Sequence, residues 1–565
     1  MKSYEYRSGV VQTLAALGDV PRNIEIAEFF VRKAAALDVK LLVFPECMNI
    51  GYLYDSVEHA KQLAEPVDGP FTSALSALAK KHKMFIASGI TEWDGEREKI
   101  FNSGVLLNAE GDLIGHYHKQ FLATHDQNWF EFGERGFPIV ETELGRLGMM
   151  ICFDGRIPEI ARCTALSGAD VIVDMANFFV LDQAEMWGPA RAYENGVWLC
   201  AATKSGQERA IYYPGGSMIV DPRGVVRAQV PYDVHDLAVA EVDPTLSRDK
   251  AIFGNGDRFA DRRPETYGVM AKPYEETKVA NVVQEAIVPG SFAFKFAAIQ
   301  SHVSGELAVG IDDVVAQVSY AALLGIKVIV LPEYVAAGEW WVDSKETAQA
   351  LAASNGEWLE RLGAISRRHG CYILYPSVEV VGENLIPTSF LISGEGSIVG
   401  RYHKVHLHSD EKKWATAGDQ FPVFETPFGR LGVMMGYDGV FPEVARCLGI
   451  NGADVILWPT RLQDRKERTL LAGTRSADNR VGLVMANRVD APFPGGSMVL
   501  PPMQLAVWDV DAVNPNYRDM GKVVFGFIDV TSARQKNLIG KVDMFKNRLT
   551  NTYGPIVARE EKKLA

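Results

Sequence analysis

The sequence predicts an α/β protein in which one domain is built twice. Three observations predict it. Short apolar strand candidates alternate with amphipathic helix candidates and hairpin turns. The blocks then recur in the same order in the second half of the chain. The composition is that of soluble globular material, 47% hydrophobic and 23% charged over 565 residues, long enough for two to four domains.

In chain order, apolar residues at 24, 27, 31, 34 and 35 behind Pro21 and Asn23 predict a helix over 24–37. A strand over 39–44 runs into Pro45-Glu46. A helix over 71–81 leads to a strand over 84–89, and strands over 103–108 and 113–117 flank the turn Glu110-Gly111-Asp112. Beyond Lys119 and an aromatic-rich loop, residues 147–151 read as a buried strand and Pro158-Glu159 as a helix start. A strand over 171–174, a helix over 185–195 and a strand over 198–203 follow, then the turn Tyr213-Pro214-Gly215-Gly216.

The polar segment 271–291, with Pro273 and Pro289-Gly290, reads as a linker. After it nearly every block returns. Gln12 recurs as Gln300, Phe44-Pro45-Glu46 as Leu331-Pro332-Glu333, Tyr117-His118-Lys119 as Tyr402-His403-Lys404, Gly145-Arg146-Leu147-Gly148 as Gly429-Arg430-Leu431-Gly432, and Pro214-Gly215-Gly216-Ser217-Met218 as Pro494-Gly495-Gly496-Ser497-Met498. The offset drifts from 288 to 280, as small loop deletions between two copies of a domain require. The expected division is residues 1–275, a linker at 276–291, and residues 292–565.

Charge and cysteine usage exclude several classes. Against 58 Lys and Arg stand 71 Asp and Glu, a net charge of −13, with no basic run to meet nucleic acid or an anionic membrane. Six cysteines, at 47, 152, 163, 200, 371 and 447, show neither CxxC nor metal-ligand spacing and fit free thiols in a reducing cytosol. No signal-peptide core and no apolar stretch of membrane-span length is read, so a cytoplasmic location is expected.

Cys152 ends an apolar run, precedes a tight Asp154-Gly155 turn, and lies just before the Pro158 helix start. Such a strand-to-helix elbow would favour a thiolate and aim backbone N–H groups at a developing oxyanion. The competing reading is a small buried hydrophobe. Glu46, Lys119 and Cys152 each lie at or just past a strand end, so their side chains can converge at one end of a sheet. There the thiolate attacks an acyl carbon, Glu46 acts as general base for Cys152 and then for water, and Lys119 with the Phe153 N–H holds the oxyanion. A dry pocket that raises the carboxylate pKa makes a histidine base unnecessary.

The motifs Phe44-Pro45-Glu46, His118-Lys119 and Ile151-Cys152-Phe153-Asp154 with Pro158-Glu159, spaced 73 and 33 residues from Glu46 to Lys119 to Cys152, resemble the nitrilase superfamily of carbon–nitrogen hydrolases and its Glu-Lys-Cys triad. The resemblance covers both copies. It implies two tandem four-layer αββα sandwiches arranged as a pseudo-dimer, a thioester intermediate, release of ammonia or an amine, and no metal or organic cofactor. It implies a second carboxylate seven residues before a loop glycine. Counting from Gly133 this is Asp126, and from Gly418 it is Glu411. Asp126 either orients substrate or Lys119, or is a solvated loop carboxylate. Cys-Phe-Asp in place of Cys-Trp-Glu resembles the amidase and carbamoylase branches. Arg156 either anchors a substrate carboxylate or is structural. Tyr52, Trp129, Phe178, Phe179 and Trp187 either line an apolar acyl pocket or belong to the core. Asn177, just beyond the strand after the elbow, joins Phe153 among the candidates for substrate or oxyanion binding.

In the second copy Glu333 and Lys404 remain, but Gly436 takes the cysteine's place. Cys447 matches Cys163, and Cys371 starts a different strand, so neither supplies a nucleophile. This copy reads as a pseudo-enzyme standing in for a partner subunit, its loop 338–342 with Trp340 and Trp341 a candidate wall of the first copy's pocket. Family habit allows oligomers of the fused chain. The leading function is hydrolysis of a linear amide or N-carbamoyl small molecule. The alternatives are a soluble acyltransferase, a nitrile hydrolase, or a non-catalytic sensor.

Overall fold

A computed structural model describes residues 4–558 apart from 124, 253–255, 285–291, 302–309, 338–341, 464, 490–491 and 503–521. The expected wall at Trp340 and Trp341 lies outside the described residues, as does Pro289-Gly290. By compactness the chain forms two units. Unit 1 is Met1–Lys250 with Asn537–Ala558, and unit 2 runs through Ala251–Lys536.

Unit 1 runs β1 (Tyr6–Gln12), α1 (Val20–Ala36), β2 (Val39–Val43), α2 (Val57–Leu63), α3 (Pro70–His82), β3 (Phe85–Asp94), β4 (Lys99–Leu107), β5 (Leu113–His118), β6 (Ile139–Thr142), β7 (Gly145–Met150), α4 (Pro158–Leu166), β8 (Val171–Met175), α5 (Gly188–Asn195), β9 (Trp198–Ala202), β10 (Gly206–Glu208), β11 (Ile211–Tyr213), β12 (Met218–Val220), β13 (Val226–Gln229) and β14 (Asp236–Val242). One six-stranded sheet has the order β14-β1-β2-β3-β4-β5, the other β13-β12-β9-β8-β7-β6. In each, three central strands are parallel: β1, β2 and β3 in the first, β7, β8 and β9 in the second.

The sheets face each other through small residues. Ser8 on β1 meets Cys200 on β9 at 3.4 Å, and a Cβ on Gly104 of β4 would come within 2.6 Å of Met175 on β8. Outside the first sheet, Ala27, Phe30, Val31 and Ala34 of α1 and Leu75, Leu78 and Ala79 of α3 bury the apolar faces that helical spacing gives them. Outside the second, α4 lies on β7 at Gly148, where a side chain would strike Thr164. The result is the expected αββα layering.

The expected boundaries shift for local reasons. Helix α1 starts at Val20 because the Asp19 side chain caps it, accepting from Arg22 N at 3.0 Å. The helix expected over 185–195 divides into a π turn at Gln183–Trp187 and α5. The segment expected as a linker carries a 3₁₀ turn at Tyr274–Glu276 and a helix over Lys278–Gln284 that buries Val279 and Val282.

Unit 2 repeats the plan. Its first sheet holds Ile398–His403, Asn384–Ile392, Tyr372–Val381, Val328–Val330, Ala293–Gln300 and Lys522–Asp529 in that order, and its second, with five strands among the described residues, runs from Val423–Thr426 to Met498–Leu500. One 25-residue helix, Lys345–His369, stands where unit 1 has α2 and α3. Pro66, Gly69 and Pro70 break the chain in unit 1, and the second copy has no proline there.

Each unit includes a segment from the other repeat. In unit 2, Arg262 pairs with Glu443 at 2.9 Å and Tyr267 OH meets His406 Nε2 at 2.6 Å. In unit 1, Arg548 pairs with Glu159 at 3.3 Å. Division by compactness therefore follows these buried contacts and not the order of the repeats.

Candidate active site

Strand β7 ends at Met150, and Cys152 opens a five-residue 3₁₀ turn, Cys152–Arg156, before Pro158 starts α4. Cys152 has φ 51°, a left-handed conformation that strains a residue with a side chain. Buried carboxylates hold it there. Asp154 Oδ2 accepts from Ile151 N at 3.0 Å and from Tyr117 OH at 2.8 Å, and its Oδ1 accepts from Phe121 N at 2.8 Å. Asp174, from the end of β8, accepts from Cys152 N at 2.8 Å, and Gln183 Nε2 donates to Cys152 O at 3.1 Å.

Glu46 follows β2 and Lys119 follows β5, so two strand ends of the first sheet carry them toward the elbow of the second. All three side chains are buried. Lys119 Nζ lies 2.7 Å from Glu46 Oε1 and 2.7 Å from Asp126 Oδ2. Glu46 Oε1 also accepts from Asn102 at 2.6 Å, while its Oε2 is buried with no hydrogen-bond partner among the described residues. Asp126 is buried, not solvated: its Oδ1 accepts from Tyr52 OH at 2.6 Å and its Oδ2 from Ala123 N at 2.9 Å. Gly133 packs on the backbone of His118, where any side chain would collide, and donates to Lys119 O at 2.8 Å. That contact fixes the loop length and hence the place of Asp126.

The electrostatics follow from this burial. Burial raises Glu46 above its usual range, Lys119 opposes the shift and Asp126 adds to it. Burial works against the Lys119 ammonium, but Asp126 and Glu46 hold its pKa well above the usual lysine value. Burial, then the charge of Glu46, pushes the Cys152 thiol well up, with Lys119 opposing. This runs against the expected thiolate: burial and the Glu46 charge both act against ionising the sulfur. Its Sγ–H points to Asn177 O at 3.7 Å.

The remaining candidates separate. Phe153 is the second residue of the turn, stacked on Phe121 at 5.6 Å. Arg156 is ion-paired with Asp182 and lies 4.1 Å over Trp187 and 5.0 Å over Phe153, a buried prop with its charge already matched. Trp187 and Phe178 line a small cavity with Cys152, Asp174 and Gln183. Trp129 packs 5.4 Å from Tyr54, and its Nε1 has no partner among the described residues. Asn177 is buried with both ends of its amide likewise unpartnered.

Sequence reasoning missed Asn102, Asp174 and Gln183. Asp174 had a signal, an acid closing an otherwise apolar strand; Asn102, mid-strand, had none. Glu92 Oε2, with His116 Nε2 at 2.7 Å and His118 Nε2 at 3.1 Å, gathers metal-ligand types beside Lys119. Arg135 Nε stands 3.3 Å from the same His118 nitrogen, and unit 2 places Arg401 and His403 on Glu379 at 2.9 and 3.2 Å. A guanidinium replacing an imidazole supports an ion-paired carboxylate there.

In unit 2, Lys404 Nζ lies 2.7 Å from Glu333 and 2.8 Å from Glu411. Gly436 keeps φ 51°, and a Cβ there would collide with the Glu333 carboxylate. Arg461, at the position of Asn177, reaches Glu333 Oε2 at 3.5 Å and Glu411 Oε1 at 3.7 Å.

Comparison with known proteins finds one family twice in this chain. The family model for carbon-nitrogen hydrolases matches residues 9–251 and again 280–510. A nitrilase of Pyrococcus abyssi is 35% identical over 247 residues, 44% of this chain and 93% of its own. The omega-amidase NIT3 of Saccharomyces cerevisiae is 31% identical over 263 residues, 43% of this chain and 89% of its own. The crystal structure of Saccharomyces cerevisiae Nit3, a member of branch 10 of the nitrilase superfamily, is 27% identical, with a TM-score of 0.40 and coverage of 43% and 92%.

Proposed function

This chain belongs to the carbon–nitrogen hydrolase family, and on that premise we propose that unit 1 hydrolyses a linear amide or N-carbamoyl small molecule through a Cys152 thioester. One observation carries the reading. A buried cysteine on a left-handed elbow shares a dry site with a Glu–Lys pair whose Glu46 Oε2 has no partner among the described residues.

The resting thiol is neutral, so attack and proton transfer go together. Glu46 Oε2 takes the Sγ proton as sulfur bonds to the acyl carbon. Lys119 and the Phe153 N–H hold the oxyanion, each donor contributing about 3 kcal/mol. The tetrahedral intermediate collapses, the C–N bond breaks, and Glu46 returns its proton to the departing nitrogen. A water then loses a proton to Glu46 and attacks the thioester, and the sulfur recovers that proton as the acid leaves. Asp126 keeps Lys119 cationic and in place throughout.

Cys-Phe-Asp and the relative named omega-amidase support an amide over a nitrile, whereas the relative named nitrilase favours nitriles as a second reading. The unpartnered amide of Asn177 supports a polar contact to the substrate, and Tyr52, Trp129 and Phe178 support an apolar acyl group. Arg156 is not the carboxylate anchor on this reading, since Asp182 matches it. Six free cysteines suit a reducing compartment, and no helix among the described residues is long and apolar enough to cross a membrane.

The test is ammonia release from aliphatic amides, aryl amides, N-carbamoyl amino acids and nitriles, with Cys152→Ala alongside. Release from the amide or ureido set that falls at least about 10⁴-fold in the variant is expected. Undiminished release from the variant would move the nucleophile elsewhere.

A further inference from the structure

We propose that Asn537–Ala558, contributed by the second repeat, is a positioning segment for the active site of unit 1; this rests on the function proposed above. The segment is part of unit 1 and touches both arms of the site. On the loop arm, Thr552 Oγ1 donates to Gln120 Oε1 at 3.1 Å and Gln127 Nε2 donates to Asn547 Oδ1 at 3.4 Å. Gln120 directly follows Lys119, and Gln127 directly follows Asp126. On the nucleophile arm, Arg548 pairs with Glu159 at 3.3 Å, both side chains fully buried. Glu159 is the second residue of α4, the helix that leaves the Cys152 elbow, and the short helix Gly554–Val557 packs on α4.

A desolvated Arg–Glu pair adds little net stability, because two charges lose their water, but it fixes geometry, since neither charge tolerates being left alone. Here it ties α4 to the same 22-residue segment that ties the loop carrying Asp126. Removing it leaves the Glu159 carboxylate buried without that partner and frees the elbow to shift against Lys119. A displacement of about 1 Å at reacting atoms costs on the order of a hundredfold in rate.

The mirror contact supplies the control. Arg262 pairs with Glu443 in unit 2, on a helix that follows Gly436 and has no nucleophile to place. The same chemistry there can affect only structure.

The experiment uses the full chain. Arg548→Ala, Arg548→Lys and Arg262→Ala are compared for kcat and KM on the best amide, for the rate at which iodoacetamide alkylates Cys152 (with Cys152→Ala as blank), and for near-ultraviolet circular dichroism. Arg548→Ala is expected to lower kcat about a hundredfold with KM changed less than about threefold, and to change the alkylation rate. Arg548→Lys is expected to recover most of the loss, and Arg262→Ala to leave kcat and alkylation within about twofold. A folded Arg548→Ala with kcat within twofold, or an Arg262→Ala that loses as much, would overturn the proposal. If Arg548→Ala does not fold, Thr552→Val takes its place: a kcat loss of about threefold at unchanged unfolding temperature is expected, and no loss would overturn it. Should the unaltered chain release no ammonia, the function reading falls, and the alkylation rates alone still decide the role of the segment.

Discussion

Two polar clusters sit on the same backbone plan and differ in charge balance. In unit 1 a lysine faces two carboxylates, Glu46 and Asp126, beside a buried thiol. In unit 2 a lysine and an arginine face two carboxylates, Glu333 and Glu411, and the thiol is gone. The pKa directions follow. Burial raises Glu46, with one lysine shared between two acids. Burial also acts on Glu411, which stands where unit 1 has Asp126, but Lys404 and Arg461 hold it down to about 2. An under-matched carboxylate is a base in waiting, and a fully matched one is a rivet. Position by position, Asn177 becomes Arg461 and Asp174 becomes Trp458, whose Nε1 donates to Gly436 O at 3.0 Å. Losing the nucleophile went with filling its surroundings.

The sharpest way to break this comparison is Glu46→Gln. The amide keeps the shape and loses the base, so kcat/KM should fall by about 10³ or more, and mass spectrometry should find no rapid acyl adduct on Cys152. Ordinary acylation would reject the role of Glu46. The pH profile carries the same sign. Activity needs the ionised base, so kcat/KM should rise with pH through a limb above the usual carboxylate range.

A smaller effect concerns stability. Glu411 has a folded pKa depressed from 4.5 to about 2, so its stabilisation is complete above pH 4.5 and is lost as pH falls toward 2. The shift corresponds to about 3 kcal/mol. Glu46, raised, has the opposite sign and weakens the fold at neutral pH. Chemical denaturation of Glu411→Gln and Glu46→Gln at pH 7 should therefore show the first much less stable than the parent and the second no less stable. Equal losses would mean that the clusters do not differ as described.

The smallest expected change is the gain from Gly436→Cys. In a Cys152→Ala background it should restore no ammonia release, and iodoacetamide should alkylate the new thiol only when Arg461→Asn is added. Ready alkylation of Gly436→Cys alone would show that Arg461 does not close the site.

Much of this was legible in the sequence because it is local or periodic. The repeat and the elbow follow from block order and Pro158, and the four layers from the family resemblance. Glu46, Lys119 and Cys152 were read from residue type and position at strand ends, and the loop acid from the family resemblance. What was not legible depends on distance in the chain. Asn102 is an unremarked strand residue until folding brings it to Glu46, 56 positions away. The upward push on the Cys152 thiol reflects burial in the folded chain, which no local motif displays. Arg461 stands at a fixed offset from Asn177, but the sequence does not say that its guanidinium turns inward. The exchanged end segments escaped notice because a repeat analysis assigns residues by order, whereas Arg262 and Arg548 are assigned by their buried partners.

The left-handed elbow has a consequence for how such a duplicate ages. Cys152 and Gly436 share φ 51°, and holding a side chain in that conformation costs about 1 kcal/mol that glycine does not incur. A duplicate freed from the need to react thus had a downhill first mutation at the nucleophile itself. In this chain Arg461 and Trp458 now stand against the vacated backbone. Reversal must climb that slope and evict the settlers, so inactivation in this architecture works as a ratchet.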